Sequence, residues 1–303
     1  MPEIKVCSFY HFARWPHFRD LQVPLHALCK AHGVKGILLL ANEGMNGTLA
    51  GAPGAMDTVM AGIREIGAIP DLAHKTSFCE AMPFLRLKVR LKAEIVTLGA
   101  GDVDPLAHAG TYVDPADWNA LMADPDVTLI DTRNAYETMI GTFERALDPK
   151  TRSFSQFPGF VRENLDPARH RKIAMFCTGG IRCEKASSYL LSQGFPQVYH
   201  LKGGILQYLE DVPQAESRWN GACFVFDDRV AVGHGLEVAD VKLCHGCRMP
   251  LKAAEMASEW YEKGVSCPHC HDLLTPAQKA SARERQKQVE LSRARGRRHL
   301  GPR

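Results

Sequence analysis

A short apolar run, Ile173 to Phe176, leads directly into Cys177-Thr178-Gly179-Gly180-Ile181-Arg182-Cys183. The chain then enters a segment of helical character, Glu184 to Ser192, closed by Gly194. A strand that delivers a cysteine to a glycine-rich turn, followed at once by a helix, is the β-turn-α unit of a parallel sheet. The same punctuation recurs around it. Asp114-Pro115 opens a helix with Asp at the cap and Pro in the first turn. Val127 to Ile130 reads as a second buried strand, and Val198 to His200 as a third, followed by the turn Leu201-Lys202-Gly203-Gly204-Ile205. Residues 112–218 are therefore expected to form an α/β domain on a parallel sheet.

The loop carries chemistry as well as topology. Two glycines let the backbone curl so that successive N–H groups point inward. Such a nest, with the helix N-terminus behind it, stabilises an anion. Arg182 and Lys185 add positive charge nearby, and together these features favour thiolate over thiol at Cys177. The same cradle suits a persulfide or an oxyanion. Loop length narrows the choice. Cysteine phosphatases place five residues between the nucleophile and an arginine, whereas four separate Cys177 from Arg182 here. A cradle of this size favours a sulfur-sized anion over a phosphoryl group. Cys183 is read either as a second thiol that resolves or stabilises a sulfur intermediate, or as a small residue in the first helical turn. Asp131 and Arg133 are read as a buried ion pair organising a strand end.

With 303 residues the chain exceeds one ordinary core. Residues 1–100 alternate strand and helix signals: strands at Val6 to Tyr10, Lys35 to Leu40, Thr48 to Ala50 and Phe84 to Leu98, and helices at Leu21 to Ala31 and Ala55 to Ile66. That order predicts a ferredoxin-like α+β domain. Residues 101–111 read as a linker, 219–275 as a cysteine-rich region and 276–303 as a basic helical or disordered tail. The apolar run Ile37 to Ala41 is far too short for a membrane span or an export signal, so a cytoplasmic chain with reduced thiols is expected. Cys7, Cys29 and Cys79 read as core residues; Cys223 is ambiguous.

Cys244-His245-Gly246-Cys247 and Cys267-Pro268-His269-Cys270 form two knuckles. A pair of cysteines with two residues between them grips one edge of a metal tetrahedron, and four thiolates close it. Cys244, Cys247, Cys267 and Cys270 are the expected ligands of a structural zinc. No organic cofactor motif is evident.

Net charge is only +3, but it is unevenly spread. In Leu85-Arg86-Leu87-Lys88-Val89-Arg90-Leu91-Lys92 the alternation is complete, so Arg86, Lys88, Arg90 and Lys92 share one face of a strand. A stripe of one sign suggests an anionic partner such as a phosphate backbone; it also suits a sheet edge kept soluble by charge. The tail (Arg283, Arg285, Lys287, Arg293, Arg295, Arg297, Arg298 and Arg303) is a second basic surface.

These pieces resemble a known family. Leu129 to Arg133, the Cys177 loop and Leu201 to Ile205 look like a rhodanese domain. With Asn42-Glu43-Gly44-Met45-Asn46-Gly47-Thr48, Arg133 to Glu137, Phe154 to Phe160 and Trp219 to Asp227, the chain resembles the oxygen-dependent tRNA uridine(34) hydroxylases. The resemblance implies a tRNA partner, molecular oxygen as co-substrate and conversion of uridine 34 to 5-hydroxyuridine. The alternatives are a sulfurtransferase that carries a cysteine persulfide on Cys177, and a non-enzymatic RNA-binding or redox-sensing protein. Nothing in the sequence bears on oligomeric state.

Overall fold

The computed structural model of the protein describes residues 3–101 and 103–296; Arg297, Arg298 and Arg303 lie outside the described residues.

The N-terminal domain runs β1 (Ile4–Phe12), α1 (Gln22–Ala31), β2 (Lys35–Ala41), β3 (Gly44–Gly51), α2 (Pro53–Gly67), β4 (Lys75–Cys79) and β5 (Leu87–Leu91). Its sheet has the order β4-β1-β3-β2-β5. Both helices cover one face, because Leu25, Cys29, Met56, Val59 and Ile63 pack on alternate strand residues such as Cys7, Phe9, Leu38 and Leu49.

The ferredoxin-like expectation holds, with a correction. The long strand predicted over Phe84 to Leu98 shrinks to Leu87–Leu91. The place of the fourth strand, beside β1, is taken by Lys75–Cys79. β5 is an added edge strand, parallel to β2. Lys75–Cys79 has little apolar content, so its pairing shows only in the tertiary structure. Cys79 is half-buried on that edge strand rather than a core residue, and donates to the Ala81 carbonyl at 3.2 Å.

The central domain follows: β6 (Thr111–Val113), α3 (Pro115–Ala123), β7 (Val127–Asp131), α4 (Ala135–Thr138), β8 (Gly141–Phe143), α5 (Phe157–Asn164), β9 (Lys172–Phe176), α6 (Ile181–Ser192), β10 (Gln197–Leu201) and α7 (Gly204–Asp211). Its parallel sheet has the order β6-β10-β9-β7. Trp118, Phe143, Phe176 and Tyr208 form its aromatic centre, with Phe143 edge-on to Phe176 at 4.8 Å and to Tyr208 at 4.7 Å.

The C-terminal region begins inside that core. β11 (Trp219–Gly221) pairs antiparallel with β8. The hairpin of β12 (Cys223–Phe224) and β13 (Ala231–Val232) follows, and Trp219, Cys223, Val225 and Val232 join the same cluster. Cys223 is thus a core thiol, and burial pushes its pKa up to about 12. Next come β14 (Lys242–Leu243), β15 (Pro250–Leu251), α8 (Ala253–Met256) and the long α9 (Pro276–Ala294). Thr275 caps α9 by accepting from Gln278 N at 3.2 Å. Arg283 docks it on Glu262 through two hydrogen bonds of 2.7 and 2.6 Å. Among the described residues, no helix is long and apolar enough to cross a membrane.

Candidate active site and metal centre

β9 ends at Phe176 and delivers Cys177 beneath the surface, with 1% of the residue exposed. The backbone then turns through Gly180, at φ +103°, into α6. Gly180 N donates to Cys177 Sγ at 3.1 Å. A second glycine turn closes the cradle from behind. Ile205 N donates to the Cys177 carbonyl at 2.9 Å, and Leu206 N to the Thr178 carbonyl at 3.1 Å. Gly204 has φ +67°, and a Cβ there would stand 2.5 Å from the Cys177 carbonyl oxygen and 2.7 Å from Gly180 N. The repeated turns at Gly179-Gly180 and Gly203-Gly204 are two halves of one device.

Burial by itself raises the pKa of Cys177. That effect is overcome by hydrogen bonding from the Cys183 thiol, by the Arg182 guanidinium, and by the N–H groups of Cys183 and Gly180, which together pull it down to about 5. Cys183 shifts the opposite way, well above its ordinary value, through burial and the neighbouring Cys177 charge. The two shifts run in opposite directions within one buried pair. Thr132 Oγ1 lies 3.5 Å from Cys183 Sγ and donates to the Phe176 carbonyl at 3.0 Å. All ten cysteines are free.

Arg182 is buried and held away from solvent by Glu137. Its Nη1 and Nη2 donate to the two carboxylate oxygens at 2.6 and 2.8 Å, and Nη2 reaches Thr178 Oγ1 at 3.3 Å. Burial opposes ionisation of Glu137, but the Arg182 guanidinium outweighs it and holds the carboxyl below its usual range. Glu137 entered the sequence reading only as the end of the marker Arg133 to Glu137, with no role assigned; the spacing Asn134-x-x-Glu137 is that of a capping box. Asn134 N donates to Glu137 Oε1 at 3.1 Å. Asp131 and Arg133 form the expected buried pair, with both side chains fully buried and a shortest contact of 2.6 Å. Trp219 lies under the Arg133 guanidinium at 5.1 Å.

Lys185 does not serve Cys177, contrary to the sequence reading. It reaches out of the central domain to Glu43, at 2.9 Å, to Glu94, and to the Val96 carbonyl at 3.1 Å. Tyr10 also crosses the domain boundary and donates to Glu184 at 2.6 Å. Thr178 is buried, and Gly179 and Ile181 are half-buried; Ile181 packs on Phe12, Ala41 and Ile95 of the N-terminal region.

The four predicted metal ligands come together. Among the described residues, Cys244, Cys247, Cys267 and Cys270 are the sulfur group that could hold a metal ion, all within 4.8 Å of one another. The basic residues are more scattered. Lys88 and Arg90 lie on β5, whereas Arg86 and Lys92 fall just outside its ends; Arg86, Arg90 and Lys92 are exposed and Lys88 is half-buried.

Comparison with known proteins agrees with this anatomy. Residues 4–95 match the UPF0176 acylphosphatase like domain and residues 114–211 the rhodanese-like domain. A tRNA uridine(34) hydroxylase of Rhizobium leguminosarum bv. trifolii (strain WSM2304) is 55% identical over 98% of this chain and 96% of its own length. A protein of the same name from Sinorhizobium medicae (strain WSM419) is 55% identical over 98% of this chain and 94% of its own. The chain belongs to the tRNA uridine(34) hydroxylase family. Among solved structures, the rhodanese-like domain from Anabaena overlaps 36% of this chain and 78% of its own, at 20% identity and a TM-score of 0.31. In this family member the acylphosphatase-like and rhodanese-like parts meet at the Cys177 loop itself, through Tyr10, Ile181 and Lys185.

Proposed function

We propose that this chain is a tRNA-modifying enzyme that converts uridine 34 to 5-hydroxyuridine, with Cys177 as the reactive group and molecular oxygen as co-substrate. The reading is carried by the Cys177 cradle: a buried, hydrogen-bonded sulfur held as thiolate. It sits in a chain 55% identical, over 98% of its length, to relatives named for that reaction. Cys177 acts as nucleophile, Arg182 supplies fixed positive charge, and Cys183 donates to the sulfur; Thr178, Gly179, Gly180 and Ile181 shape the loop. Addition of the Cys177 sulfur at C6 of uracil makes C5 the nucleophile toward oxygen; one oxygen atom stays on C5, the other leaves as water with two electrons from an external thiol reductant, and loss of the C5 proton and of the thiolate from C6 restores the ring.

In this reading the ferredoxin-like domain (1–100) and the basic residues Arg86, Lys88, Arg90 and Lys92 engage the RNA. The rhodanese domain (112–218), reached through the 101–111 linker, holds the nucleophile. The region 219–275 carries a structural zinc, and the basic tail (276–303) adds attraction for RNA. Zinc is supported by spacing. Sulfurs about 2.3 Å from a tetrahedral ion stand about 3.8 Å apart. Cys244–Cys270 and Cys267–Cys270 are each 3.8 Å apart and Cys247–Cys267 3.6 Å. Four protein thiolates leave no open position, so the ion would order the module and take no part in the reaction. A tRNA substrate also fits a cytoplasmic chain.

The test is nucleoside mass spectrometry of tRNA from cells lacking the protein and complemented with wild type or Cys177→Ser. Wild type restores nucleosides derived from 5-hydroxyuridine, and Cys177→Ser does not. Hydroxylation by the serine variant would overturn the role of Cys177. Normal hydroxylation with altered thiolation in the deleted cells would establish sulfur transfer instead.

A further inference from the structure

Phe226 is an exposed aromatic ring beside Arg182. It lies on the turn between β12 and β13, 55% exposed, while Phe224 and Val225 next to it are buried. The turn is not loose. Arg229 forks onto Asp227 at 2.8 and 2.6 Å, with both side chains nearly inaccessible. Arg229 also donates to Ser77 Oγ at 2.7 Å, and Asp228 N to the Pro83 carbonyl at 3.0 Å. Phe224 meets the Phe226 ring edge-on at 5.3 Å, and Tyr136 backs Phe224 in turn at 5.2 Å. An exposed phenyl ring is thus fixed by three layers of structure. It is fixed beside the catalytic loop, for the Arg182 guanidinium lies 6.0 Å from its centroid.

Single exposed apolar side chains are ordinary; this one is distinguished by being held rigid beside the Arg182 guanidinium. A fixed aromatic face is what unpaired bases stack on, because stacking needs a rigid π surface. A base stacked inside an RNA loop cannot reach a sulfur that is 1% exposed, so the target nucleotide must leave its stack.

We propose that Phe226 is a base-stacking subsite for the unstacked target pyrimidine beside the Cys177 loop. This deepens the reading of the chain as a tRNA hydroxylase and rests on it.

The experiment compares binding of two anticodon stem-loop RNAs, one with uridine at position 34 and one abasic there, to the full-length protein. Wild type should prefer the uridine RNA by roughly tenfold, a stacking contribution of ordinary size. Phe226→Ala should bind both alike, and Phe226→Trp should restore the preference. Equal binding of the two RNAs by wild type, or a preference that survives in Phe226→Ala, would overturn the subsite. So would a shift of the pH midpoint for Cys177 alkylation in Phe226→Ala matching its loss of hydroxylation, since the ring would then act only by shielding Arg182. Hydroxylation of intact tRNA by wild type is scored separately, so loss of the subsite and loss of the proposed reaction register in different assays.

Discussion

At the scale of single residues, the chemistry is one of opposed pKa shifts. Cys177 and Cys183 are both buried in the same cluster, yet one is driven down and the other up. The difference lies in the partners: Gly180 N–H donates to Cys177 Sγ, and hydrogen bonding from Cys183 and the Arg182 charge lower its pKa, whereas burial and the neighbouring Cys177 raise that of Cys183. Arg182 contributes through space, because its own hydrogen bonds go to Glu137. For an acidic thiol with a depressed pKa the reactive form exists above that pKa. Alkylation of Cys177 by a small reagent, followed by mass spectrometry, should therefore rise through about pH 5 and be flat by pH 7. A midpoint near that of an ordinary thiol would contradict the cradle. The sequence made Cys177 legible because glycines and a helix start are local features. It did not reveal Glu137, because a partner 45 residues from Arg182 is brought there only by folding.

Elements explain how the loop keeps its shape. Gly204 opens α7 at positive φ, where a Cβ would meet the Cys177 carbonyl oxygen. Gly204→Ala would add both left-handed strain, about 1–2 kcal/mol, and a collision with backbone that cannot move aside. It should lower the unfolding free energy by at least about 2 kcal/mol in urea titration and slow Cys177 alkylation at neutral pH. A neutral result would mean that α7 is not the backing of the cradle. Two Asp-x-Arg forks, Asp131–Arg133 and Asp227–Arg229, fix a strand end and a turn. β5 makes the contrasting case. Its alternation was legible, and Leu87, Val89 and Leu91 do pack on the N-terminal core. Its position was not, because alternation reports two faces and says nothing about which neighbour completes the sheet. Reversing Arg86, Lys88 and Arg90 to Glu should weaken tRNA binding and flatten its dependence on salt. An unchanged slope of log affinity against log salt would remove β5 from the RNA contact.

Across the whole molecule, the Cys177 loop is a joint. Lys185 ties α6 to Glu43 and Glu94, and Tyr10 ties β1 to Glu184. Lys75 is bonded to Gln207 at 2.7 Å, and burial lowers its pKa to about 8. Lys185→Met would leave two carboxylates, each about a quarter exposed, facing each other without a cation. The cost should be about 2–3 kcal/mol, below that of a fully buried pair because water still reaches the acids. Faster amide exchange in β3 and around Glu94, with the central sheet unaffected, would show the joint opening. Uniform exchange across both domains would show that the contact is not what couples them.

The sequence by itself determined the units. Glycine placement, apolar periodicity and cysteine spacing act over a few residues, and they were enough for the parallel sheet, the Cys177 turn and the sulfur cluster. The tertiary structure decided what those units do to one another. It took Lys185 away from Cys177, gave Arg182 a carboxylate, set β5 beside β2 instead of β1 and set Phe226 in the open beside the loop. Each of these depends on which surfaces meet. A side chain's charge and shape are written locally, but its partner is chosen by contacts between residues far apart in the chain.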